Sequence, residues 1–594
     1  METQEYSLFT EYNDTSEVFE SFRLDELLKN SSERFGNKTA IIDKDQEITY
    51  KTFYEEVSKL AAEITCENQP VGIIARRSIQ SVIQIFAVLQ AGNYYIPIDP
   101  NYPQERIDYI VAKTNARLLL DGNRITWLHQ EDVEVPFDQK VKPGDRVAYV
   151  IFTSGSTGLP KGVVETHYQV MNTLWDLKKR LSLDENDNFL CLASFNFDLS
   201  VFDIFGSVFV GGTLYIAEDQ RDFATIKNVI EKHNITIWNS VPSVLDYFLK
   251  EIELSEAAMN KLRVCMMSGD YVSTELSKTV LNTFPNSQTY SLGGATECSI
   301  WSILYLITKE NLFDYPYIPY GYPMANQRIY ILNEDMTLAA PGKVGQIAIV
   351  GAGVALGYIG DEIKTNETFI NHKELGYLYL TGDLGQFEKD GHIKFTGRMD
   401  SRVKVNGYRV SLSEISSVFH KHFELENRVF LLEEHEGTQQ LVLTYHNDVA
   451  LDDSMIRKKL LKHLAVYELP HLLFYFPEFP LTANGKIDMK ELKKSVEERM
   501  SEQNRNSYSN ESDTEVSPFR QMLTEVLKIR EVLPEDSLFT LGVSSLQLVK
   551  IKNWIEENMD IEIELLDIYD CDQVEALEAF LNRQQKSGAV KEQR

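Results

Sequence analysis

Residues 146–167 read RVAYVIFTSGSTGLPKGVVETH, and their types and order suit phosphate binding. An apolar run, Val147 to Phe152, leads into Thr153-Ser154-Gly155-Ser156-Thr157-Gly158 and then Leu159-Pro160-Lys161-Gly162. Glycines let backbone N–H groups approach phosphate oxygens closely, hydroxyls add donors, and Lys161 adds a positive charge. The pattern G-x-x-x-x-G-K-[ST] of a Walker loop is not satisfied, and neither is the G-x-S-x-G of a hydrolase elbow. The plain alternative is a Gly/Ser-rich surface turn.

Such a loop needs a scaffold. From about residue 22 to about residue 398, short apolar runs alternate with amphipathic segments. TAIID, PVGIIA, RLLLD, RVAYVIF and GTLYIA predict buried strands, and LDELLKNSSERF and FYEEVSKLAAEI predict helices. The alternation predicts an α/β fold, a large core of layered β-sheets and helices spanning 21–399 behind a loose polar leader at 1–20. Near Arg398 the texture changes. Strand-like alternation followed by a helix, capped by Ser411 or Ser413, predicts a smaller α+β unit over 400–499. Residues 500–516, SEQNRNSYSNESDTEVS, are polar and predict a flexible linker. A compact segment follows at 517–584, with a tail at 585–594. In it, a helix beginning near Ser545 carries Leu548, Ile551, Ile555 and Met559 on one face, a pattern that core packing explains.

Composition narrows the function classes. The 594 residues carry a formal net charge of -30, which repels phosphate backbones and argues against a nucleic-acid partner. The five cysteines, Cys66, Cys191, Cys265, Cys298 and Cys571, form no CxxC pair, so neither a disulfide framework nor a zinc site is expected and a reducing cytoplasm is. The first residues lack the apolar stretch of a signal peptide, and no apolar run approaches the roughly 18 residues of a membrane span.

The phosphate string resembles that of the adenylate-forming superfamily, which includes acyl-CoA synthetases, luciferases and the adenylation domains of nonribosomal peptide synthetases. The likeness runs in order over residues 22–495. It includes GNYYIPIDPNYPQERI (92–107), FNFDLSVFDIFG (195–206), SLGGATE (291–297), GQIAIVGAGVALGY (345–358), YLTGD (379–383), GRMDSRVKVNGYRV (397–410) and PLTANGKID (480–488). The resemblance implies attack of a carboxylate on the ATP α-phosphate, giving an acyl-adenylate and pyrophosphate. It implies that Thr153 to Lys161 hold phosphates, that Thr296 approaches the α-phosphate, and that Glu297 helps bind Mg²⁺. Gly293 belongs to the nucleotide element, Asp383 accepts from the ribose hydroxyls, and Arg398 contacts the nucleotide. Lys486 bridges the substrate carboxylate and phosphate, on a loop marked by the Asn484-Gly485 turn signal. Asp400 would be a hinge, about which the 400–499 unit turns to bring the face containing Lys404 to the second half-reaction. One departure stands out: the family has an aromatic before Gly-Pro-Thr-Glu, and this chain has Gly293-Gly294-Ala295-Thr296-Glu297, so the contact to adenine is left open.

In amino-acid-activating members an aspartate at the place of Asp198 pairs with the substrate ammonium. The implied pocket is Asp198, Leu199, Phe202, Asn239, Met266, Ser268, Leu292, Ile300, Trp301 and Lys486, similar to that of cysteine-activating domains. Bulky Phe202, Ile300 and Trp301 leave space for Cys, Ser or Ala, and L-cysteine is the expectation.

EDSLFTLGVSSLQLVKI (535–551) resembles the thiolation motif of peptidyl carrier domains, which are four-helix units, and Ser545 matches the serine that bears 4′-phosphopantetheine. A serine at a helix N-terminus is exposed near the positive end of the dipole, which suits a phosphodiester. Ser544 replaces the family's usual His or Asp. The didomain thus implied needs a phosphopantetheinyl transferase and, because no condensation or thioesterase motif is visible, a downstream condensing or tailoring enzyme in trans. Asn93 and Tyr94 replace the small residues at which an accessory tryptophan-inserting activator would dock, so independence of it is expected. The competing classes are an acyl-CoA synthetase with an unrelated tail and a scaffold that has lost ATP chemistry.

Overall fold

The computed structural model describes residues 11–44, 46–133, 145–153, 160–399, 402–405, 408–433, 439–480, 487–506, 517–527, 545–559 and 573–591, with single residues and pairs between 532 and 571. The chain divides into two compact units, one made mainly of residues up to 409 and one of residues from 410 onwards.

Three sheets build the first unit. The nine-stranded sheet runs, edge to edge, Tyr322–Pro323, Ile303–Ile307, Gln288–Gly293, Val264–Ser268, Ile237–Ser240, Asn188–Cys191, Thr213–Ile216, Thr39–Asp43 and Gln46–Thr49. Its six inner strands are parallel, and the last pairs at each edge are antiparallel. The seven-stranded sheet places Val147–Thr153 between Lys161–Thr166, antiparallel, and Tyr94–Ile98, parallel. A five-stranded antiparallel sheet is formed by Gln327–Leu332, Val344–Gly351, Phe369–His372, Gly376–Phe387 and Ile393–Arg398. Parallel strands covered on both faces must be apolar throughout, and this is why Pro70–Ile74 and all but the last residue of Val147–Thr153 are buried. The α/β expectation holds. Helix Leu24–Phe35 buries Leu24, Leu27, Leu28 and Ser31, the i, i+3, i+4, i+7 stripe of a helix lying on a core.

The leader is not loose over its second half. The buried Asn13 side chain donates to the Ile329 carbonyl at 3.0 Å and accepts from the Ile329 N–H at 2.7 Å. Thr15 and Glu17 bond to Gln327 and Asn326. Each pairing satisfies polar groups at the start of a strand about 310 residues away, which no local pattern could announce.

In the second unit, Asn427–Glu433, Gln439–His446 and Leu472–Phe476 form a three-stranded sheet, and helix Leu412–Phe423 is capped by Ser411, whose hydroxyl accepts from the Glu414 N–H at 3.3 Å. The stretch read as a linker begins inside a helix, Met489–Asn506. Leu492 and Val496 are buried, and the Arg499 guanidinium lies 4.1 Å from the Phe476 ring centroid and bonds the Tyr475 carbonyl. Glu, Lys, Arg, Met and Gln then extend the helix on propensity. Residues 507–516 lie outside the described residues. Further on are helices Pro518–Leu527, Ser545–Met559 and Val574–Lys591, the last continuing through most of the expected tail. Leu548, Ile551 and Ile555 are buried, as the periodicity predicts.

Candidate functional site

The parallel strands of the nine-stranded sheet assemble a pocket face by register alone. Asn239 is the Cα partner of Met266, and Ser268 of Leu292. Met266 and Ser268 are two apart on one strand, so these four side chains share one face. Asn239, Met266 and Ser268 are fully buried, and Leu292 nearly so. The chain from Phe195 turns into a short helix, Leu199–Val201, and a π-helical turn, Phe202–Gly206, and this brings Asp198, Leu199 and Phe202 to the same region. Asn239 donates to the Leu199 carbonyl at 3.3 Å, and to Asp203 at 3.0 Å. The Phe202 and Trp301 rings meet edge to face at 5.4 Å, and both belong with Leu199, Met266, Leu292 and Ile300 to one buried apolar cluster. Nine of the ten expected pocket residues thus converge. Three polar atoms among them, Ser268 Oγ, Asn239 Oδ1 and Trp301 Nε1, are buried without a partner.

Asp198 is buried, and the Thr296 hydroxyl donates to its carboxylate. Burial pushes the Asp198 carboxyl up to about 6, against the pull of that hydrogen bond. Thr296, Glu297 and Cys298 form a 3-10 turn closed by the Cys298 N–H to the Ala295 carbonyl. Glu297 is fully buried, and its Oε1 accepts from the Tyr358 hydroxyl at 2.7 Å. The Lys161 ammonium lies 5.0 Å from the centroid of that same Tyr358 ring. The strand leaving the phosphate loop and the turn carrying Glu297 therefore meet at Tyr358. A third buried carboxylate is Glu165, whose Oε1 accepts the Ser299 N–H at 3.1 Å. Burial first, then the neighbouring charges of Asp198 and Glu297, drive its carboxyl well above the ordinary range.

At the other side of this turn, Asp383 and Arg398 are cross-strand partners joined by an ion pair. Tyr320 lies within electrostatic reach of both, and the Gly294 N–H bonds its hydroxyl. Its ring fills the space beside Gly293: a Cβ there would come within 1.9 Å of Tyr320 Cε2. A ring arriving from elsewhere in the chain thus occupies the space beside the glycine of this motif.

Thr153 ends its strand half-buried, and Lys404 is half-buried in strand Arg402–Val405. Ser154, Gly155, Ser156, Thr157, Gly158, Asp400 and Lys486 lie outside the described residues. Ser545 is the first residue of its helix, and its side chain is outside the description. Glu165, Tyr320 and Tyr358 escaped the sequence argument. Only Glu165 carried a local signal, a lone carboxylate inside the strand Lys161–Thr166, every residue of which is buried.

The profile of the family described as AMP-binding enzyme matches residues 28–359, and that described as phosphopantetheine attachment site matches residues 517–581. The chain belongs to the AMP-binding enzymes and couples that domain to a carrier domain. It is similar to bacitracin synthase 1 of Bacillus licheniformis, 36% identical over 597 residues, covering 99% of this chain and 11% of that protein. It is also similar to the anguibactin system regulator of Vibrio anguillarum, 33% identical over 487 residues, covering 77% of this chain and 46% of the relative. The chain thus spans less than half the length of either. Among solved structures, it shares its fold with the holo form of a nonribosomal peptide synthetase protein containing adenylation and PCP domains, bound to a vinylsulfonamide inhibitor. That match has a TM-score of 0.75 at 21% identity and covers 97% of this chain and 98% of the other.

Proposed function

We propose that the first unit joins an amino acid to AMP and that the acyl group is then passed to the carrier domain at 517–581, as in nonribosomal peptide synthesis. The observation that carries this is the buried Asp198 carboxylate, bonded by Thr296 and next in the chain to Leu199, which packs in the buried apolar cluster with Phe202, Ile300 and Trp301. A carboxylate removed from water is costly unless a cation meets it, and a substrate ammonium is that cation. With the ammonium at Asp198, the substrate carboxylate lies towards Thr296. A carboxylate oxygen attacks the ATP α-phosphorus, and the bond to the bridging oxygen breaks as pyrophosphate leaves. Positioning and electrostatics do most of the work in such a transfer.

Lys161 and Thr153 to Gly158 would hold the outgoing phosphates, Asp383 the ribose hydroxyls, and Arg398 would orient Asp383 as well as touch the nucleotide. Tyr320, packed on Gly293, offers the ring on which adenine stacks. Lys486 would neutralise both reacting carboxylate and phosphate. Among the described residues no three His, Cys, Asp or Glu side chains are grouped to hold a metal. A single buried carboxylate, Glu297, nevertheless fits Mg²⁺, which takes one or two carboxylates and completes its shell with phosphate oxygens and water. When bound there it would spread the charge of the phosphates. Ser545, opening a 15-residue helix, fits attachment of 4′-phosphopantetheine, which supplies the thiol that receives the acyl group. Lys404, near the Asp400 hinge, would serve that second half-reaction after the 400–499 unit turns.

L-cysteine suits the pocket. Phe202, Ile300 and Trp301 limit its volume, and the unpartnered Ser268 Oγ and Asn239 Oδ1 await a thiol or hydroxyl. The partners are a phosphopantetheinyl transferase and a condensing or tailoring enzyme in trans, and the place is the cytoplasm. Among the described residues no helix is long and apolar enough to cross a membrane. Amino-acid-dependent exchange of labelled pyrophosphate into ATP tests the proposal. Exchange with cysteine ahead of serine and alanine is expected. Exchange led by another amino acid would overturn cysteine, and none with any amino acid would overturn the activity.

A further inference from the structure

The pocket wall that carries Ile300 and Trp301 is built on a backbone that its own side chains disfavour. Ser299 and Ile300, neither of them glycine, sit consecutively in the left-handed region, at φ 57° and 70°. A β-branched residue is especially averse to that conformation, so something outside the loop must hold it. Two side chains do so. The Ser299 N–H donates to Glu165 Oε1 at 3.1 Å, and the Ser299 carbonyl accepts from the Thr173 hydroxyl at 2.9 Å. The corner is closed from within by the Trp301 N–H to the Ser299 carbonyl at 2.9 Å. Gly294 leaves no room for retreat, because a Cβ there would lie 2.9 Å from Trp301 Cα and 3.0 Å from the Ile300 carbonyl oxygen.

Glu165 is an expensive choice for this work. It is fully buried in a strand of Lys161–Thr166 that begins where the phosphate loop ends, and its second oxygen, Oε2, has no partner. Its cross-strand partner is Tyr149, whose hydroxyl is also buried and unpartnered. An apolar residue would fill this place at less cost in desolvation but would leave the Ser299 N–H unsatisfied in the interior. We infer that Glu165 is a positioning residue of the amino-acid pocket: by fixing Ser299 it sets Ile300 and Trp301, and so determines which substrate side chains are admitted. The inference rests on the proposed pocket and adds to it the residue that shapes its wall.

Two variants of the full chain test it in the pyrophosphate exchange assay, with KM measured separately for amino acid and ATP. Glu165→Gln keeps a carbonyl oxygen for the Ser299 N–H and should retain the wild-type ranking of amino acids. Glu165→Leu, close in size but without an acceptor, should raise the amino-acid KM about tenfold. It should also narrow the discrimination against larger side chains about tenfold, while the ATP KM stays within about twofold. Thr173→Val removes the other tether and should show the same split, and it carries the test if the leucine variant does not fold. Leucine and valine variants that fold and keep wild-type discrimination would overturn the inference, as would amino-acid and ATP KM values rising together. Absence of exchange in the wild-type chain would instead remove the proposed activity, a separate outcome.

Discussion

The Thr296 hydroxyl donates a hydrogen bond to the Asp198 carboxylate, tying the residue assigned to the α-phosphate to the residue assigned to the substrate ammonium. Because burial holds the Asp198 carboxyl at about 6, the empty site should lose its anion as the pH falls through that value. The ionised form is the one that attracts an ammonium. The kcat/KM for amino acid should therefore fall below pH 6 with a slope of one, and stay level from pH 7 to pH 8. Asp198→Asn should remove this dependence and lower kcat/KM about 10–100-fold, the worth of a hydrogen bond to a charged group. Pyrophosphate exchange across pH 5–8 measures both. A profile that is the same in the asparagine variant would show that another group titrates.

Tyr320 packed against Gly293 makes a second expectation. If this ring is the adenine platform, Tyr320→Ala should raise the ATP KM about 5–100-fold, since stacking of a base on an aromatic contributes about 1–3 kcal/mol. Tyr320→Phe keeps the face and should stay close to wild type. Gly293→Ala places a methyl about where the ring now sits, 1.9 Å from Cε2, and should displace it with the same effect on ATP and little on the amino acid. An ATP KM indifferent to Tyr320→Ala would move adenine elsewhere.

These two residues mark what local sequence can and cannot carry. Asp198 and Thr296 could be singled out because each stands in a string, FNFDLSVFDIFG and SLGGATE, that resembles a family motif. The buried strands were legible because a parallel strand covered on both faces must be apolar along its length, as PVGII is. Tyr320 was not legible. Its place beside Gly293 follows from the pairing of its own N–H and that of Gly321 with Ile393, a tertiary contact without a local trace. The docking of Asn13 on Ile329 was hidden for the same reason, at a separation of 316 residues. Glu165 lies between these cases, since a charge inside an unbroken buried strand announces an unusual neighbour but not which one.

His167 predicts acid sensitivity of the fold. Its ring is buried, Nδ1 accepts the Leu24 N–H at 3.0 Å, and burial, then the charges of Arg23 and Arg146, lower its pKa to about 3. In the unfolded chain the ring protonates near 6.5, so below that pH the unfolded state binds the extra proton and gains stability relative to the fold. Stability is fully present above pH 6.5 and is lost progressively as the pH falls towards 3, by about 2 kcal/mol at pH 5. His167→Asn keeps an acceptor without the titration. Denaturant midpoints of the two proteins should diverge by less at pH 5 than at pH 7, and a constant difference would exclude His167 as the source.

In the proposed transfer the arm is carried by Ser545, which opens the helix Ser545–Met559. The adjacent Ser544 leaves two hydroxyls between which a phosphopantetheinyl transferase must choose. A residue at the first helical position has its side chain beside the free N–H groups and the positive end of the dipole, where a phosphodiester is stabilised. Intact mass after treatment with the transferase and coenzyme A should show one added arm in the wild type and in Ser544→Ala, and none in Ser545→Ala. Addition of ATP and cysteine should then add one acyl group to the first two only, while pyrophosphate exchange is the same in all three, because the adenylation step does not use the carrier. An arm that persists in Ser545→Ala and disappears in Ser544→Ala would shift the attachment point by one residue. Exchange that fell with loading in Ser545→Ala would show that the carrier is required before the acyl transfer.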